Sequence, residues 1–305
     1  MSVAQLFEEF RPGAFAVAYR MLGSMSEAED VVQEAFLRLH RTLQEGERIE
    51  SPRAYLSTVV TRLCIDQLRS ARARRESYVG EWLPEPLVAS ADEDPARHAE
   101  VADSLSLAFL VLLESLSPEQ RAAFLLREVF DYPYDRIAAI VGSSEANARQ
   151  LVARARGHVT ERRPRFEASR ERREQLAQSF FAAAEEGDLE ALEGLLARDV
   201  VLHGDGGGRV PAIARALHGR ARVARTLLTW VRAAARFGGF SLRRVEVNGQ
   251  PGAMVLDPEG RLIGVLALDV ADGQVQAVTS VVNPDKLRHL GPLADLGALL
   301  HRPAT

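Results

Sequence analysis

Apolar positions recur with a helical period along most of the first 165 residues, and with a strand period toward the C-terminus. Val31, Val32, Ala35, Phe36, Leu39 and Leu43 lie three and four apart, one apolar stripe on a helix opened by the acidic turn 26–30. Asp30, Gln33, Glu34 and Arg38 fall on the polar side of that helix. A second long helix is expected from Ser51-Pro52, a capping residue followed by proline at the first helical position. Its buried stripe is Tyr55, Leu56, Val59, Val60, Leu63 and Leu68. It carries Arg62 and runs out into Arg69, Arg72, Arg74 and Arg75.

The period breaks over 76–104, where Pro84, Pro86 and Pro95 interrupt an acidic run with Asp92, Glu93 and Asp94, the pattern of an extended linker. It resumes over 105–165. Ser117-Pro118-Glu119-Gln120 is a capping box with proline at the first position. A short helix follows Pro133, with Ile137, Ile140 and Val141 inside. Gly142 makes a turn after it, and Ser143 is placed to cap a further helix burying Ala148, Leu151, Val152, Ala155 and Val159. Asn147, Arg149, Gln150 and Arg154 stay on its outer faces, with Ser144 at its start. This is helix–turn–helix geometry: such a second helix fits a major groove, where Arg pairs with guanine edges and Asn or Gln with adenine. An ordinary αα-hairpin has the same pattern.

From about 171 the character changes. Helices over 172–186 and 189–197, a strand over 200–203 and the loop Asp205-Gly206-Gly207-Gly208 precede a helix over 220–236 with Leu227, Leu228 and Trp230. Four strand-like stretches follow, 241–247, 253–257, 262–270 and 275–282, separated by Asn248-Gly249, Pro258-Glu259-Gly260 and Asp272-Gly273. Helices followed by a meander predict an α+β domain with a curved sheet.

Length and charge sharpen this picture. A chain of 305 residues suits two or three domains. The net charge of −4 hides a basic stretch: residues 121–173 carry 12 arginines against 7 acids, while residues 76–120 carry 1 against 10. The basic stretch coincides with the helix–turn–helix, which favours phosphate contact. Of 38 basic residues only Lys286 is a lysine. Cys64 is the single cysteine, so no intramolecular disulfide forms. No apolar run reaches the ~18 residues that span a bilayer, and the first residues lack the basic flank of a secretory signal. A cytoplasmic location without membrane contact is expected.

At residues 28–43, AEDVVQEAFLRLHRTL, followed by SPRAYLSTVVTRLCIDQLRSARARR at 51–75, the chain resembles region 2 of the sigma-70 family in its compact extracytoplasmic-function form. The run LSPEQRAAFLLREVFDYPYDRIAAIVGSSEANARQLVARAR resembles region 4 of the same group. WLPEPLV at 82–88, DGGG at 205–208 and NPDKL at 283–287 resemble motifs of a subgroup with a C-terminal SnoaL-like domain, the SigJ type.

The resemblance implies an RNA polymerase sigma factor with two all-α domains and a cone-shaped α+β SnoaL/NTF2-like domain. Region 2 would span 1–75, the acidic linker 76–104, region 4 105–165 and the C-terminal domain 171–305. It implies that Asp30, Gln33, Glu34 and Arg38 face the β′ clamp helices of core polymerase, with the β flap a further contact. Arg62, Arg69, Arg72, Arg74 and Arg75, with the loop 46–52, would meet the −10 promoter element. Ser144, Asn147, Arg149, Gln150 and Arg154 would meet the −35 element in duplex form. Glu145 departs from this pattern: an acid at the start of a reading helix repels phosphate, though it can accept from cytosine.

For the C-terminal domain the resemblance implies regulation in cis. Trp82 and Leu83 are expected to meet Asp205, Gly206, Gly207, Gly208, Asn283, Pro284 and Asp285 at one interface. No cofactor or metal is implied. The chain is not expected to be an enzyme, because His203, Asp205, Trp230 and Asp269 show no catalytic pairing at a defined spacing. A small-molecule ligand in the C-terminal cavity stays open. Two alternatives remain: a polymerase-independent helix–turn–helix regulator with a ligand-sensing domain, and a SnoaL-type cyclase or isomerase fused to a DNA-binding module.

Overall fold

The computed structural model describes residues 3–76, 78–89, 106–160, 169–235 and 238–300, with backbone alone at 3–4, 71–76 and 160. They form two compact units, one from 1–77 and 109–163, the other from 78–108 and 164–305.

The first unit is helical. Helices α1 (Val3–Leu22), α2 (Met25–Gln44) and α3 (Pro52–Glu76) pack on one another. Ser24 caps α2, its Oγ accepting from the Glu27 amide at 3.3 Å, two residues earlier than the acidic turn suggests. Ala28, Val31, Val32, Ala35, Phe36 and Leu39 are buried along α2, and Leu43 stays at the rim. Cys64 lies fully buried on α3, where burial pushes its thiol up and keeps it neutral. Next come α4 (Leu107–Leu113), α5 (Pro118–Glu128), α6 (Tyr134–Val141) and α7 (Glu145–Thr160). The expected capping box opens α5: Ser117 Oγ accepts from the Gln120 amide and Gln120 Oε1 accepts from the Ser117 amide.

Gly142 ends α6 in the left-handed region at φ 74°. Ser143 is then still within the turn, donating its amide to the Ala138 carbonyl, and Ser144 takes the capping position expected of Ser143. Ala123, Leu126, Ile137, Ala138, Ile140, Ala148 and Val152 form the core of this helix–turn–helix. The buried Arg121 of α5 ties it to α1, donating twice to the Arg20 carbonyl, at 3.2 and 3.0 Å, and pairing with Glu114.

The second unit begins with strand β1 (Val88–Ala89). It continues with α8 (Arg170–Glu186), α9 (Leu189–Leu195), β2 (Leu196–Asp205), β3 (Leu217–His218) and α10 (Arg220–Ala234). Strands β4 (Ser241–Val247), β5 (Gln250–Leu256), β6 (Leu262–Ala271) and β7 (Gln274–Val281) form the expected meander, followed by α11 (Pro284–Leu287), a 3₁₀ turn (Arg288–Leu290) and α12 (Leu296–Leu300). The sheet order is β1-β4-β5-β6-β7-β2-β3, antiparallel except where β2 runs parallel to β7. Phe180, Phe181, Leu192, Leu202, Leu227, Leu268 and Val278 fill the core between helices and sheet.

Residues 78–89 read as extended linker in the sequence, yet they belong to this α+β unit. They form a strap whose end adds β1 to the edge of β4, Val88 opposite Val247 and Ala89 opposite Glu246, pairing an otherwise open edge. The rest of the linker, with Pro95 and the acidic Asp92, Glu93 and Asp94, lies outside the described residues. Among the described residues no helix is long and apolar enough to cross a membrane.

Candidate functional site

The α+β unit holds the strap through one buried carboxylate. Asp205 ends β2 and is fully buried. Its Oδ1 accepts from the Tyr78 hydroxyl at 2.7 Å and from the Gly207 amide at 2.9 Å. Its Oδ2 accepts from the Leu83 amide at 2.9 Å and from Lys286 Nζ at 2.7 Å. Four donors on two oxygens satisfy a carboxylate that would otherwise be expensive to bury. Lys286 also donates to the Leu83 carbonyl and sits over the Trp82 ring, 4.1 Å from its centroid. Asn283 Nδ2 donates to the Tyr78 hydroxyl at 2.7 Å, while its Oδ1 caps α11 by accepting from the Asp285 amide. Burial pushes the Tyr78 phenol up, and its bond to the Asp205 carboxylate pushes it further, so it stays protonated as a donor.

Local chain geometry makes this clasp. Gly207 sits at φ 60°, and a Cβ there would lie 2.3 Å from Asn283 Nδ2, so only glycine lets the loop close on the side chain that holds Tyr78. Further contacts line the strap. Glu81 Oε1 meets His203 Nδ1 at 2.7 Å. The Pro86 carbonyl meets His289 Nε2 at 3.1 Å. Leu87 exchanges two 2.8 Å bonds with the buried Asn248, donating to its Oδ1 and accepting from its amide. Leu83 is fully buried.

The structure brings together Trp82, Leu83, Asp205, Gly207 and Asn283. Gly206 and Gly208 shape the same loop, Pro284 opens α11, and Asp285 faces outward to Arg209 and Arg288. Sequence reasoning missed Tyr78 and Lys286. The signal for Lys286 was present: one lysine in a chain that otherwise uses arginine. Its compact ammonium sits over the Trp82 indole and between the Leu83 carbonyl and the Asp205 carboxylate.

In the helical unit, Asp30, Gln33 and Arg38 are exposed along α2 and Glu34 is half-buried, with Arg38 Nε donating to Glu34 at 2.7 Å. Arg62 and Arg69 are engaged by the helix–turn–helix segment: Arg62 reaches the carbonyls ending α6, and Arg69 donates twice to Glu119, at 3.0 and 2.7 Å. Tyr132 and Ser57 share a hydroxyl hydrogen bond at 2.8 Å beside them. The side chains of Arg72, Arg74 and Arg75 lie outside the described residues. On α7, Asn147, Arg149, Gln150 and Arg154 are exposed, and Ser144 uses its hydroxyl as the cap, accepting from the Asn147 amide. Arg149 lies over the Tyr134 ring at 4.3 Å and bonds Glu145 at 2.5 Å.

Of the polar candidates for catalysis, His203 and Asp205 both hold the strap. Neither these two nor Asp269 lines the apolar cavity of the unit, whereas Trp230 does.

Residues 6–74 match the family model for sigma-70 region 2, residues 106–159 that for sigma-70 region 4, and residues 177–283 that for a SnoaL-like domain. The ECF RNA polymerase sigma factor SigJ of Mycobacterium tuberculosis (strain ATCC 25618 / H37Rv) is 39% identical over 290 residues, covering 92% of this chain and 91% of the relative. The probable ECF RNA polymerase sigma factor SigI of the same species (strain CDC 1551 / Oshkosh) is 34% identical over 284 residues, covering 92% of each. The crystal structure of Mycobacterium tuberculosis extracytoplasmic function sigma factor SigJ matches with a TM-score of 0.77 at 37% identity, over 96% of this chain and all of that one.

Proposed function

The chain belongs to the family of extracytoplasmic-function RNA polymerase sigma factors, and from that we propose that it directs core polymerase to specific promoters while its α+β domain modulates it in cis through the strap. The reading places it in the cytoplasm, where polymerase works. Asp30, Gln33, Glu34 and Arg38 on α2 are the polymerase-facing surface, and the β flap is the partner of the helix–turn–helix segment. Arg62, Arg69, Arg72, Arg74 and Arg75 serve the −10 element, and Ser144, Asn147, Arg149, Gln150 and Arg154 the −35 element. We assign 1–75 to region 2, 76–104 to the linker, 105–165 to region 4 and 171–305 to the C-terminal domain. The chemistry of transcription belongs to the polymerase, and this chain supplies position and strand separation.

The observation that carries the regulatory part is the four-donor clasp on Asp205. The strap precedes the helix–turn–helix segment in the chain, so holding or releasing it changes how far the two DNA-reading segments can separate. Docking the strap couples the α+β domain to that separation as one free energy.

The test is association with core polymerase by size-exclusion chromatography. The full chain should co-elute with core, and the pair Asp30→Ala/Gln33→Ala should weaken that association by roughly tenfold or more, as expected for polar anchors at a protein interface. Co-elution unaffected by that pair would refute the assignment of α2.

A further inference from the structure

The α+β unit encloses a cavity of about 260 Å³ that the clasp does not use. Phe181 and Trp230 wall it on the helix side, Val255 and Ile263 on the sheet side, and Leu296 and Leu300 of α12 also line it. Among the described lining residues, the Ser280 hydroxyl and the Trp230 indole are the only polar side-chain groups. An ionised guest would lose its hydration there and find no counter-charge. A neutral, hydrocarbon-rich guest loses little hydration and gains contacts with the apolar walls.

The cavity wall and the clasp are the same two strand ends. Gly204 and Ser280 line the cavity and are register partners on β2 and β7; the next pair is Asp205 and Val281. Val282 also lines the cavity, and its amide and that of Asn283 both donate to the Asp205 carbonyl, at 2.9 and 3.0 Å. Ile213 presses on Gly204, where a Cβ would lie 2.4 Å from Ile213 Cγ1, and its side chain also faces the cavity. A guest would pack on the face of Ile213 that lines the cavity and so restrain the loop between β2 and β3 that carries Gly207. Helix α12 has five residues, too few to persist alone, and Leu299 anchors it against Ala234 and Ile263.

We infer that this cavity is a sensor site for a neutral, hydrocarbon-rich small molecule, entered past α12, and that its occupancy tightens the hold of Asp205 and Asn283 on the strap. The regulatory consequence rests on the cis-modulation reading above; the binding does not. Linkage makes the coupling reciprocal: a docked strap raises affinity for the guest by the same factor.

The probe is N-phenyl-1-naphthylamine, compared with its 8-sulfonate, which differs by one anionic group. Full-length protein should bind the neutral dye saturably at one site, and the sulfonate at least about tenfold more weakly. Ala184→Phe on α8 and Val231→Trp on α10 fill the cavity from two different helices, and each should abolish binding. Hydrogen exchange on the unmutated chain reads the site without any variant: dye should slow exchange along α12, β2 and β7. At ten times the dissociation constant, exchange of the Leu83 and Leu87 amides should slow by up to about tenfold. Absence of saturable binding, equal binding of the sulfonate, or binding retained in both filled variants overturns the site. Bound dye with strap exchange unchanged or faster overturns the coupling. None of these outcomes touches polymerase association, so the two readings fail separately.

Discussion

Arg62 donates from Nε to the Ile140 carbonyl at 3.1 Å and from Nη2 to the Ala139 carbonyl at 2.9 Å. These carbonyls end α6, the negative end of the helix dipole, so the guanidinium caps the first helix of the helix–turn–helix. A side chain assigned to the −10 strand is thus occupied within the helical unit, and Arg69 is occupied likewise by Glu119. If they serve the −10 element as proposed, both contacts must first be released.

Glu119→Gln and Tyr132→Phe weaken this lock without removing either arginine. Glu119→Gln removes the charge from the acceptor of Arg69 and Tyr132→Phe removes the hydroxyl that donates to Ser57; each change is worth about 1 kcal/mol, so binding of a single-stranded −10 oligonucleotide should tighten by up to about fivefold per variant. Fluorescence anisotropy measures it. Unchanged or weaker binding in both variants would show that the contacts do not restrain the arginines.

Lys286→Met leaves Asp205 buried with its charge uncompensated, which should cost about 3–5 kcal/mol. Both tryptophans, Trp82 and Trp230, lie in the α+β unit, so their fluorescence in urea reports that unit alone. The double variant Asp205→Asn/Lys286→Met removes both charges and should recover part of the loss. A double variant as unstable as the sum of the singles would mean the two residues are not coupled.

Much of this architecture is legible in the sequence, and the omissions have physical causes. The apolar stripes of α2 and α7 and the turn pairs Asn248-Gly249 and Asp272-Gly273 predict their elements because period and turn chemistry are local. The strap is invisible to local rules: Pro84 and Pro86 forbid a helix, and only β4, some 160 residues away, gives β1 a partner. Tyr78 and Lys286 were missed because their roles come from convergence on a distant carboxylate. Asp205 is bound by Tyr78 and Lys286, although its local pattern suits an exposed turn. The acid at Glu145 looked hostile to DNA, yet in the structure it is neutralised by Arg149.

That pairing makes Glu145→Gln informative. Freed of its acid, Arg149 becomes available to phosphate, and the acid's own repulsion disappears. Affinity for duplex −35 DNA should rise, and the slope of log affinity against log salt should steepen by about one unit. Titration at several salt concentrations checks this. A slope unchanged within error would mean that Arg149 does not approach the duplex.

Alkaline pH should loosen the strap. The Tyr78 phenol is raised in the folded protein by burial and by Asp205, whereas an unfolded tyrosine ionises near pH ~10. Its stabilising contribution is therefore complete below about pH 10 and declines as pH climbs beyond it toward the folded value. Tryptophan fluorescence of a Trp230→Phe background, which leaves Trp82 alone, followed from neutral to alkaline pH should show this loss, and adding Tyr78→Phe should remove that step. An identical profile in the variant would rule out Tyr78 as the titrating group.

Run-off transcription with purified core polymerase on a pool of genomic fragments tests the central claim most directly. The full chain should yield discrete promoter-specific transcripts. These should fall to the level of core alone with Asp30→Ala/Gln33→Ala, drop sharply with Arg149→Ala/Arg154→Ala, and change in amount when Lys286→Met frees the strap. Transcripts no different from those of core alone, or insensitive to both the α2 and the α7 variants, would contradict it.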